Sequence, residues 1–540
     1  MRLITLAFIF AATAFNVKAQ SIDEGKKHLY YERYESATNT LQQLVKQQPD
    51  NAQAWHLLTH TYLQKNQAAK AADSLKLAPA SVLANPYGKI AQASVMLHEG
   101  NVPQATQLLN AALNETRHKD VAVLTAAATA LIEAKQGDAN AAIGLLEKAI
   151  KRDKKNPELY VLLGDAYRKL SNGTEAYRSY QRAIQADGSY AKAHHRMAGI
   201  FMSQQNPDMY VPLYEKAVAV DANYAPALYN LYVYEFYRDP AKAMNYYNKY
   251  VTVTDKTDAV DYDLTDLYFV GKQYDKAIEK GNELIERYAD SVKPRIFKLV
   301  SFSYAEKKDT AKALNYLEQY FANEVDTNIT SKDYATMGTF YGSMPEKDSM
   351  AAIYISKAAD LEKDSTVRFG YYKQLADMAK ERKDYKDQAI WLEKYFVGNN
   401  NATNLDLFNW GLAHYMDTNY VAADTVFAQY VAKYPEQSFG YYWQAKSQAL
   451  IDRDMEQGLA IPTYTKLVEV LQNDTTENGK KWMVEAYGYL AAYEANTQKD
   501  YVEAVDYFEK LLEVDPENED AKKYIEVLEK SINQAEAGNR

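Results

Sequence analysis

The chain of 540 residues contains no cysteine. Disulfide bonds, thiolate nucleophiles, iron–sulfur clusters and zinc–cysteine sites are therefore excluded. A lipid anchor on an N-terminal cysteine is excluded for the same reason. Glycine and proline are scarce, at 21 and 14 residues, which argues against an all-β chain with many tight turns.

Basic residues are fewer than acidic residues in this chain. The chain carries 62 lysines and arginines against 72 aspartates and glutamates, a formal net charge of −10. Nucleic-acid binding draws much of its affinity from lysine and arginine on phosphate, and polybasic docking to anionic lipid needs the same residues. We therefore expect neither nucleic acid nor an anionic membrane surface as a partner.

The longest apolar run stands at the N-terminus. Arg2 precedes apolar residues 3–15, and Val17 and Ala19 place small residues at −3 and −1 of a cut after Ala19. This layout is typical of a secretory signal peptide over residues 1–19. As a helix the run rises about 20 Å, short of a bilayer core of about 30 Å. We expect an exported, periplasmic or secreted chain with no integral membrane segment once cleaved. An uncleaved N-terminal anchor is the alternative.

A small residue recurs along the rest of the chain with a period near 34. Successive spacings run from 33 to 44 residues, and 34 is the commonest. Such a period indicates stacked helical hairpins, each of which covers its apolar face only against its neighbours. Thirteen of the fourteen positions are alanine, and the series is Ala37, Ala71, Ala105, Ala142, Ala176, Tyr210, Ala243, Ala277, Ala313, Ala351, Ala389, Ala423, Ala460 and Ala504.

A second small residue precedes many of these alanines within the first helix of each hairpin. Gly164 stands twelve residues before Ala176, and Gly411 stands twelve before Ala423. Two antiparallel helices approach closely only where a side chain is nearly absent. The small residues therefore predict where the two helices of a pair cross.

These residues resemble the tetratricopeptide repeat (TPR) family. The unit at 157–190 is the clearest, and the units at 404–437 and 485–518 are similar. The resemblance implies an all-α fold, an α–α superhelix or solenoid of about 14 antiparallel helix pairs. We assign residues 1–19 to the signal peptide, 20–257 to an N-terminal array, 258–532 to a C-terminal array that continues the same superhelix, and 533–540 to a frayed tail. The residues that carry the resemblance at 157–190 are Tyr160, Leu163, Gly164, Tyr167, Ala176, Tyr180 and Ala183.

Chemistry-bearing motifs are weak. His56 and His60 share a helical face without a third metal ligand, and His194 and His195 are expected on the surface with His195 towards a groove. The acids between positions 255 and 266 lack the glycine and glutamate of a calcium loop, so we interpret them as a solvated helix start. Phosphate-binding loops, nucleophile elbows and HExxH motifs are absent from the sequence. We expect no catalysis, no cofactor and no metal site.

In the family that the sequence resembles, the first helices of successive pairs line a concave groove. The resemblance therefore implies a protein or peptide partner in that groove, as part of an adaptor or scaffold in the cell envelope. The alternative is an accessory binding protein for glycan or nutrient uptake on the same scaffold. Asp165 is a further groove position, and the candidate partner-binding residues are Arg168, Lys169, His195, Arg196, Tyr229, Asn230 and Tyr237.

Overall fold

A computed structural model describes residues 21–538, and the side chains up to residue 534. This part of the chain forms α-helices, three short helical turns (Ala289–Ser291, Asp326–Asn328 and Glu494–Gln498) and no β-strand. The fold is the expected all-α solenoid. Its helices are α1 (Ile22–Tyr30), α2 (Tyr34–Gln47), α3 (Ala52–Gln64), α4 (Ala68–Leu75), α5 (Ala80–Ala84), α6 (Pro86–His98), α7 (Val102–Glu115), α8 (Val121–Glu133), α9 (Ala139–Arg152), α10 (Pro157–Lys169), α11 (Gly173–Ala186), α12 (Ala191–Ser203), α13 (Pro207–Val220), α14 (Ala225–Glu235), α15 (Pro240–Val253), α16 (Asp258–Val270), α17 (Tyr274–Tyr288), α18 (Arg295–Glu306), α19 (Thr310–Asn323), α20 (Ser331–Gly342), α21 (Asp348–Leu361), α22 (Ser365–Glu381), α23 (Tyr385–Phe396), α24 (Asn404–Met416), α25 (Tyr420–Lys433), α26 (Ser438–Ile451), α27 (Ile461–Leu471), α28 (Glu477–Tyr493), α29 (Tyr501–Val514) and α30 (Glu519–Gly538).

The helices pack in consecutive pairs. α1 packs on α2, α3 on α4, α6 on α7, and each even-numbered helix from α8 to α28 packs on the next one in the chain. Over residues 21–538 this gives the fourteen predicted pairs, and α5 and α30 are additional. All thirteen alanines of the periodic series are at most 1% exposed. The series therefore lies where the two helices of each pair meet.

The glycine of the first helix accommodates a large side chain from the second helix. A Cβ at Gly164 would lie 2.4 Å from the ring of Tyr180, and one at Gly411 would lie 2.8 Å from the ring of Phe427. Contacts this short do not occur, so only glycine fits at these two crossings while the aromatic ring stays in place. The rings come from residues four positions after Ala176 and Ala423, one turn further along the same helix face.

Short side chains end and begin many of the helices. Asp120, Asp138 and Asn156 accept backbone N–H bonds at the starts of α8, α9 and α10. Thr330 and Thr403 form complete capping boxes with the third residue of α20 and α24. Such caps satisfy N–H groups that have no partner inside the helix, and they fix where each pair starts.

The helices form two compact units, unit 1 up to Val292 and unit 2 from Lys293. The boundary between the predicted arrays, 257/258, stays a prediction; Asp255, just before it, contacts the beginning of unit 1. The Asp255 carboxylate accepts hydrogen bonds from the backbone N–H of Glu35 at 2.7 Å and from the hydroxyl of Ser36. It thereby caps α2 from 220 positions away. Residues near 257 are thus tied into unit 1, and Asp255 is not the purely solvated acid that the sequence suggested.

The predicted signal peptide, residues 1–19, lies outside the described residues. At the other end α30 continues to Gly538, so 533–538 extend a helix that the sequence ended at position 532, before a frayed tail. Between residues 21 and 538 no helix is long and apolar enough to cross a membrane.

Candidate functional site

In unit 1 the first helix pair packs against residues that follow it by 160 to 220 positions. The ring of Tyr30 lies 5.3 Å from that of Tyr190 and 5.4 Å from that of Tyr224. The hydroxyl of Tyr31 donates to the Asp221 carboxylate at 3.0 Å. Together with the Asp255 cap on α2, these contacts form what we call the seam. Through the seam, residues between positions 190 and 255 contact α1 and α2, so the two ends of the array from α1 to α15 meet.

The first helices of six successive pairs enclose a cavity of about 570 Å³, here called the unit 1 cavity. This volume falls in the range of about 300–1,000 Å³ that is usual for small-molecule sites. Every helix of the wall is the first helix of its pair, as the family resemblance implied for a groove. Lining residues come from α1 (Lys26, Leu29, Tyr30), α3 (Gln53, His56, Leu57, His60), α6 (Tyr87), α8 (Val121, Ala122, Thr125, Ala126, Thr129, Glu133), the start and body of α10 (Asn156, Glu158, Leu162, Asp165) and the start and body of α12 (Tyr190, Lys192, Arg196).

Opposite charges on different helices of this wall pair with one another. His60 Nδ1 lies 3.0 Å from Glu133 Oε2, and Lys192 Nζ donates to Glu158 Oε1 at 2.9 Å. The hydroxyl of Tyr190 donates to the other oxygen of Glu158. Burial lowers the pKa of His60, but the Glu133 carboxylate more than offsets this and leaves the pKa raised. Burial raises the pKa of Glu133, and His60 reverses that shift, so the Glu133 pKa is lowered.

Arg196 is held between two carboxylates that stand too far away for hydrogen bonds. Its nearest atoms lie 3.7 Å from Asp165 and 3.8 Å from Glu32, beyond hydrogen-bond length. Its Nε is shielded from solvent without an acceptor, although the side chain as a whole is 32% exposed. Asp165 itself accepts a hydrogen bond of 2.6 Å from the Tyr180 hydroxyl. Arg196 therefore lines the cavity with the exposed part of its side chain, while its charge is paired with Asp165 and Glu32.

The residues that the sequence predicts to form one groove surface do not lie together in the structure. Lys169 donates to the carbonyls of Leu131 at 2.7 Å and Ile132 at 3.1 Å, and to that of Ala134. The lysine thus caps the C-terminus of α8, and burial lowers its pKa. Its contacts are those of a structural residue, which corrects the interpretation of Lys169 as an open groove position.

The side chain of His195 also contacts other residues of the protein. Its ring packs 5.4 Å from that of Tyr214 and 5.5 Å from that of Tyr224, and its Nε2 lies 2.9 Å from the amide nitrogen of Asn230. Burial lowers its pKa to about 3, so the imidazole is neutral near pH 7. Its neighbour His194 is buried as well. The expectation of a surface histidine pair is therefore wrong.

The remaining predicted residues lie at three separate places. Tyr229 lines a second cavity of about 200 Å³ with His195 and Asn230. Arg168 is exposed, with its guanidinium against Gly199. Tyr237 is 83% exposed. Of the seven candidates only Arg196 reaches the unit 1 cavity, and three others share the smaller one.

Unit 2 carries an apolar surface that the sequence interpretation missed. Along the first helices α24, α26 and α28 the ring of Phe439 lies 6.1 Å from Phe408 and 5.1 Å from Trp482, edge to face. Tyr442 stacks on Trp482 at 4.4 Å. Phe439 remains 50% exposed and Leu405, on the same row, 61% exposed. We call Leu405, Phe408, Phe439, Tyr442 and Trp482 the aromatic row.

The signal for this row was present in the sequence. Leu405 and Phe439 each stand six residues before the small residue of their helix, Gly411 and Ala445. Glu158 stands six residues before Gly164 and lines the unit 1 cavity. The same repeat position therefore lines the cavity in unit 1 and is exposed to solvent in unit 2. It is acidic in this pair of unit 1 and apolar in two adjacent pairs of unit 2.

Side chains suited to metal binding do not gather in the described residues. No group of three or more histidine, aspartate or glutamate side chains is placed to hold an ion among residues 21–538. His56 and His60 share one face of α3, and His60 is engaged by Glu133. Burial lowers the pKa of His56 to about 3, which leaves its ring neutral.

Comparison with known proteins gives matches to one repeat family. Residues 28–95, 128–191, 407–436 and 489–518 match models described as tetratricopeptide repeat. The comparison with curated proteins gives no match.

Solved structures with a similar helical repeat include bacterial proteins. The C-terminal part of a TPR repeat-containing protein from Cytophaga hutchinsonii is 27% identical, with 49% of this chain and 99% of that one covered at a TM-score of 0.30. A tetratricopeptide repeat protein from Parabacteroides merdae is 18% identical, with coverages of 48% and 98% and a TM-score of 0.30. A structure of the APC/C hetero-tetramer Cut9–Hcn1 is 16% identical, with coverages of 94% and 89% and a TM-score of 0.27.

Proposed function

Because the chain is a tetratricopeptide repeat protein, we propose that it is an adaptor of the cell envelope that binds a partner protein through the aromatic row of unit 2. Repeat arrays of this kind are protein-interaction scaffolds, with extended inner surfaces built from successive pairs. The envelope location rests on the signal peptide predicted from residues 1–19. Binding, rather than turnover, is the proposed activity.

The aromatic row is the observation that carries this proposal. Large apolar side chains at the centre of a surface contribute most of the binding free energy in protein interfaces, with aromatic residues enriched among them. Phe439 and Leu405 are at least half exposed, whereas the other apolar side chains of the row are partly or fully buried beneath them. Their exposed apolar surface would be buried by a bound partner, and this burial favours binding.

The chemistry of the row selects one kind of partner segment. Its centre is apolar, and its edge carries the charged pair Lys446–Glu485 at 3.2 Å and the pair Lys373–Asp406 at 3.1 Å. Paired charges give no net preference for an acidic or a basic ligand. We therefore assign to the row a short segment with two or more large apolar side chains flanked by neutral polar residues.

Photo-crosslinking tests this assignment and identifies the partner in the same experiment. A photoreactive phenylalanine analogue is placed at position 439 of the full chain, and crosslinked peptides from envelope extract are identified by mass spectrometry. The crosslinked segment is then synthesised and its affinity is measured by titration. A segment rich in large apolar residues is the expected result, whereas strongly charged segments would contradict the proposal.

The test variant combines Leu405→Asp and Phe439→Asp in one chain. The control variant is Val421→Asp. Val421 is 64% exposed but lies on the second helix α25, so it tests for effects of an added charge elsewhere. The double variant is expected to weaken binding of the synthetic peptide at least tenfold, about 1.4 kcal/mol or more, while Val421→Asp leaves it unchanged. Equal affinities for both would overturn the aromatic row as the site.

A further inference from the structure

Each carboxylate of the unit 1 cavity is paired with a basic side chain. The wall contains three carboxylates, Glu133, Glu158 and Asp165, and three cationic side chains, Lys26, Lys192 and Arg196, besides His60. Each carboxylate has a basic neighbour: 3.0 Å for Glu133, 2.9 Å for Glu158 and 3.7 Å for Asp165. The paired groups do not concentrate ions of either sign, and the fourth basic side chain, Lys26, is exposed to solvent. The contents of the cavity are therefore expected to carry no net charge.

Polar atoms in this wall remain without protein partners. The Nε of Arg196 and the Nδ1 of His56 are both shielded from solvent and make no hydrogen bond within the protein. His56 is 9% exposed and lines the cavity. Buried polar atoms without partners cost free energy unless a ligand or water satisfies them. These two atoms are out of reach of a molecule in the cavity, whereas Glu133 and Glu158 are 28% and 32% exposed and offer it hydrogen-bond acceptors.

Apolar surfaces lie between these polar groups. The rings of Tyr30 and Tyr87 and the side chains of Leu29, Leu57 and Leu162 line the same cavity. Tyr87 packs 5.8 Å from the ring of His56. The wall thus alternates charge-assisted hydrogen-bonding groups with aromatic and aliphatic faces. A complementary ligand has hydroxyl groups around its edge and C–H faces between them.

We propose that the unit 1 cavity binds a neutral, hydroxyl-rich small molecule of the sugar class. Paired carboxylate and basic groups supply acceptors and donors to vicinal hydroxyls, and the tyrosine rings cover the C–H faces. The volume of about 570 Å³ suits a single small molecule. This site is separate in sequence and in unit from the aromatic row, so either proposal can fail alone.

The seam contributes to the enclosure of the unit 1 cavity. Tyr30 supplies part of the cavity wall and also packs on Tyr190 and Tyr224. At the seam the wall therefore joins α1 to the start of α12. The volume of about 570 Å³ is that of a small-molecule site.

Saturation-transfer NMR on the full mature chain tests the proposal. The neutral probes are glucose, galactose, N-acetylglucosamine, maltose and cellobiose, each at up to about 10 mM. The charged probes are glutamate, inorganic phosphate and betaine. Saturable transfer to at least one neutral sugar and none to the charged probes is expected. Absence of transfer to every sugar, or preference for a charged probe, would overturn the proposal.

Two variants locate the site. Ala122→Trp fills the cavity from an exposed position on α8, and Glu158→Gln with Lys192→Met removes a charged pair while keeping the charge balance. Both are expected to weaken sugar binding at least tenfold. The matched control, Glu147→Gln with Lys148→Met, changes two exposed residues of α9 and is expected to bind as the wild type does. If sugar binding survives both cavity variants, with helical content and thermal midpoint unchanged, the cavity is not the site.

Discussion

The hydroxyl of Tyr31 donates a 3.0 Å hydrogen bond to the carboxylate of Asp221, 190 residues further along the chain. In a repeat array most contacts join neighbouring pairs. This bond belongs to the seam, which joins the first pair to the sixth and seventh. Unit 1 is consequently a closed array, whose first pair is held from two sides.

Weakening the seam should loosen the first helix pair selectively. Tyr30→Ala removes the ring that packs on Tyr190 and Tyr224, and loss of a partly buried aromatic side chain costs about 2–3 kcal/mol. Hydrogen exchange followed by mass spectrometry is expected to show faster exchange in residues 22–47 than in the wild type. Tyr237→Ala serves as control, because that ring is 83% exposed. Unchanged exchange in residues 22–47 of the Tyr30 variant would show that the seam does not restrain this pair.

A substitution at Gly164 tests whether the crossing of α10 and α11 requires glycine. In Gly164→Ala the new methyl group would meet the Tyr180 ring at 2.4 Å, and overpacking of this kind costs about 1–3 kcal/mol. Gly173→Ala is the matched control, since nothing lies within 4 Å of a Cβ there. The control is expected to be neutral or slightly stabilising, because alanine favours the helix over glycine by up to about 1 kcal/mol. Urea unfolding monitored by circular dichroism measures both, and equal midpoints would contradict the packing argument.

The His60–Glu133 pair predicts a pH window for stability. The His60 pKa is raised above its usual 6.5, so its contribution is present below that value and is lost as the pH rises through the folded-state pKa. The Glu133 pKa is lowered below 4.5, so its contribution is present above that value and is lost as the pH falls. The pair therefore stabilises unit 1 most between pH 4.5 and 6.5.

Thermal midpoints of the wild type and of His60→Gln, measured from pH 4 to 9, check this window. The difference between the two proteins is expected to be largest between pH 4.5 and 6.5 and smaller above it. His56 acts in the opposite direction, since burial and, to a smaller degree, the charge of His60 lower its pKa to about 3. Burial is the larger cause and remains in His60→Gln, so the His56 pKa stays lowered in both proteins. A difference that grows steadily towards alkaline pH would contradict the assignment.

Lys169 is predicted to support the fold and not the binding surface. Lys169→Met removes the lysine donor from the carbonyls of Leu131 and Ile132, whereas that of Ala134 keeps the N–H of Gly137. Loss of a donor to a buried acceptor costs about 1–3 kcal/mol. Lys151→Met, at an exposed position in the last turn of α9, is the control. The Lys169 variant is expected to unfold at lower denaturant concentration, with peptide affinity at the aromatic row unchanged. Wild-type stability of this variant would show that its carbonyl contacts are not needed.

The periodic part of the fold could be predicted from the sequence because it depends on local geometry. An alanine every 34 or so residues specifies a helix crossing whatever the rest of the chain does, and Ala176 and Ala423 lie fully buried at such crossings. Gly164 and Gly411 were assigned to the same crossings. The rings that fill the space opposite them follow one helical turn after each alanine.

The candidate site could be predicted only in outline. Helix register placed Lys169 and His195 towards an inner surface, but contacts with other helices decide whether such a position is open. Lys169 meets the end of α8, and Tyr224, which shares the seam with Tyr30, packs on His195. The Tyr31–Asp221 bond joins residues 190 apart, and a repeating sequence carries no signal for such a distance. The aromatic row was missed although Leu405 and Phe439 follow the repeat.

The seam also sets an order of events during synthesis. Asp255 caps α2 from 220 residues downstream, and ribosomes add about 5–20 residues per second. The first helix pair is therefore complete for some ten seconds or longer before the residue that caps it exists. During that interval the ring of Tyr30 lacks its two distant tyrosine neighbours until translation reaches residues 190 and 224. Nascent unit 1 thus carries an uncovered apolar edge at its N-terminus, and the residues that cover it are made in the second half of the unit.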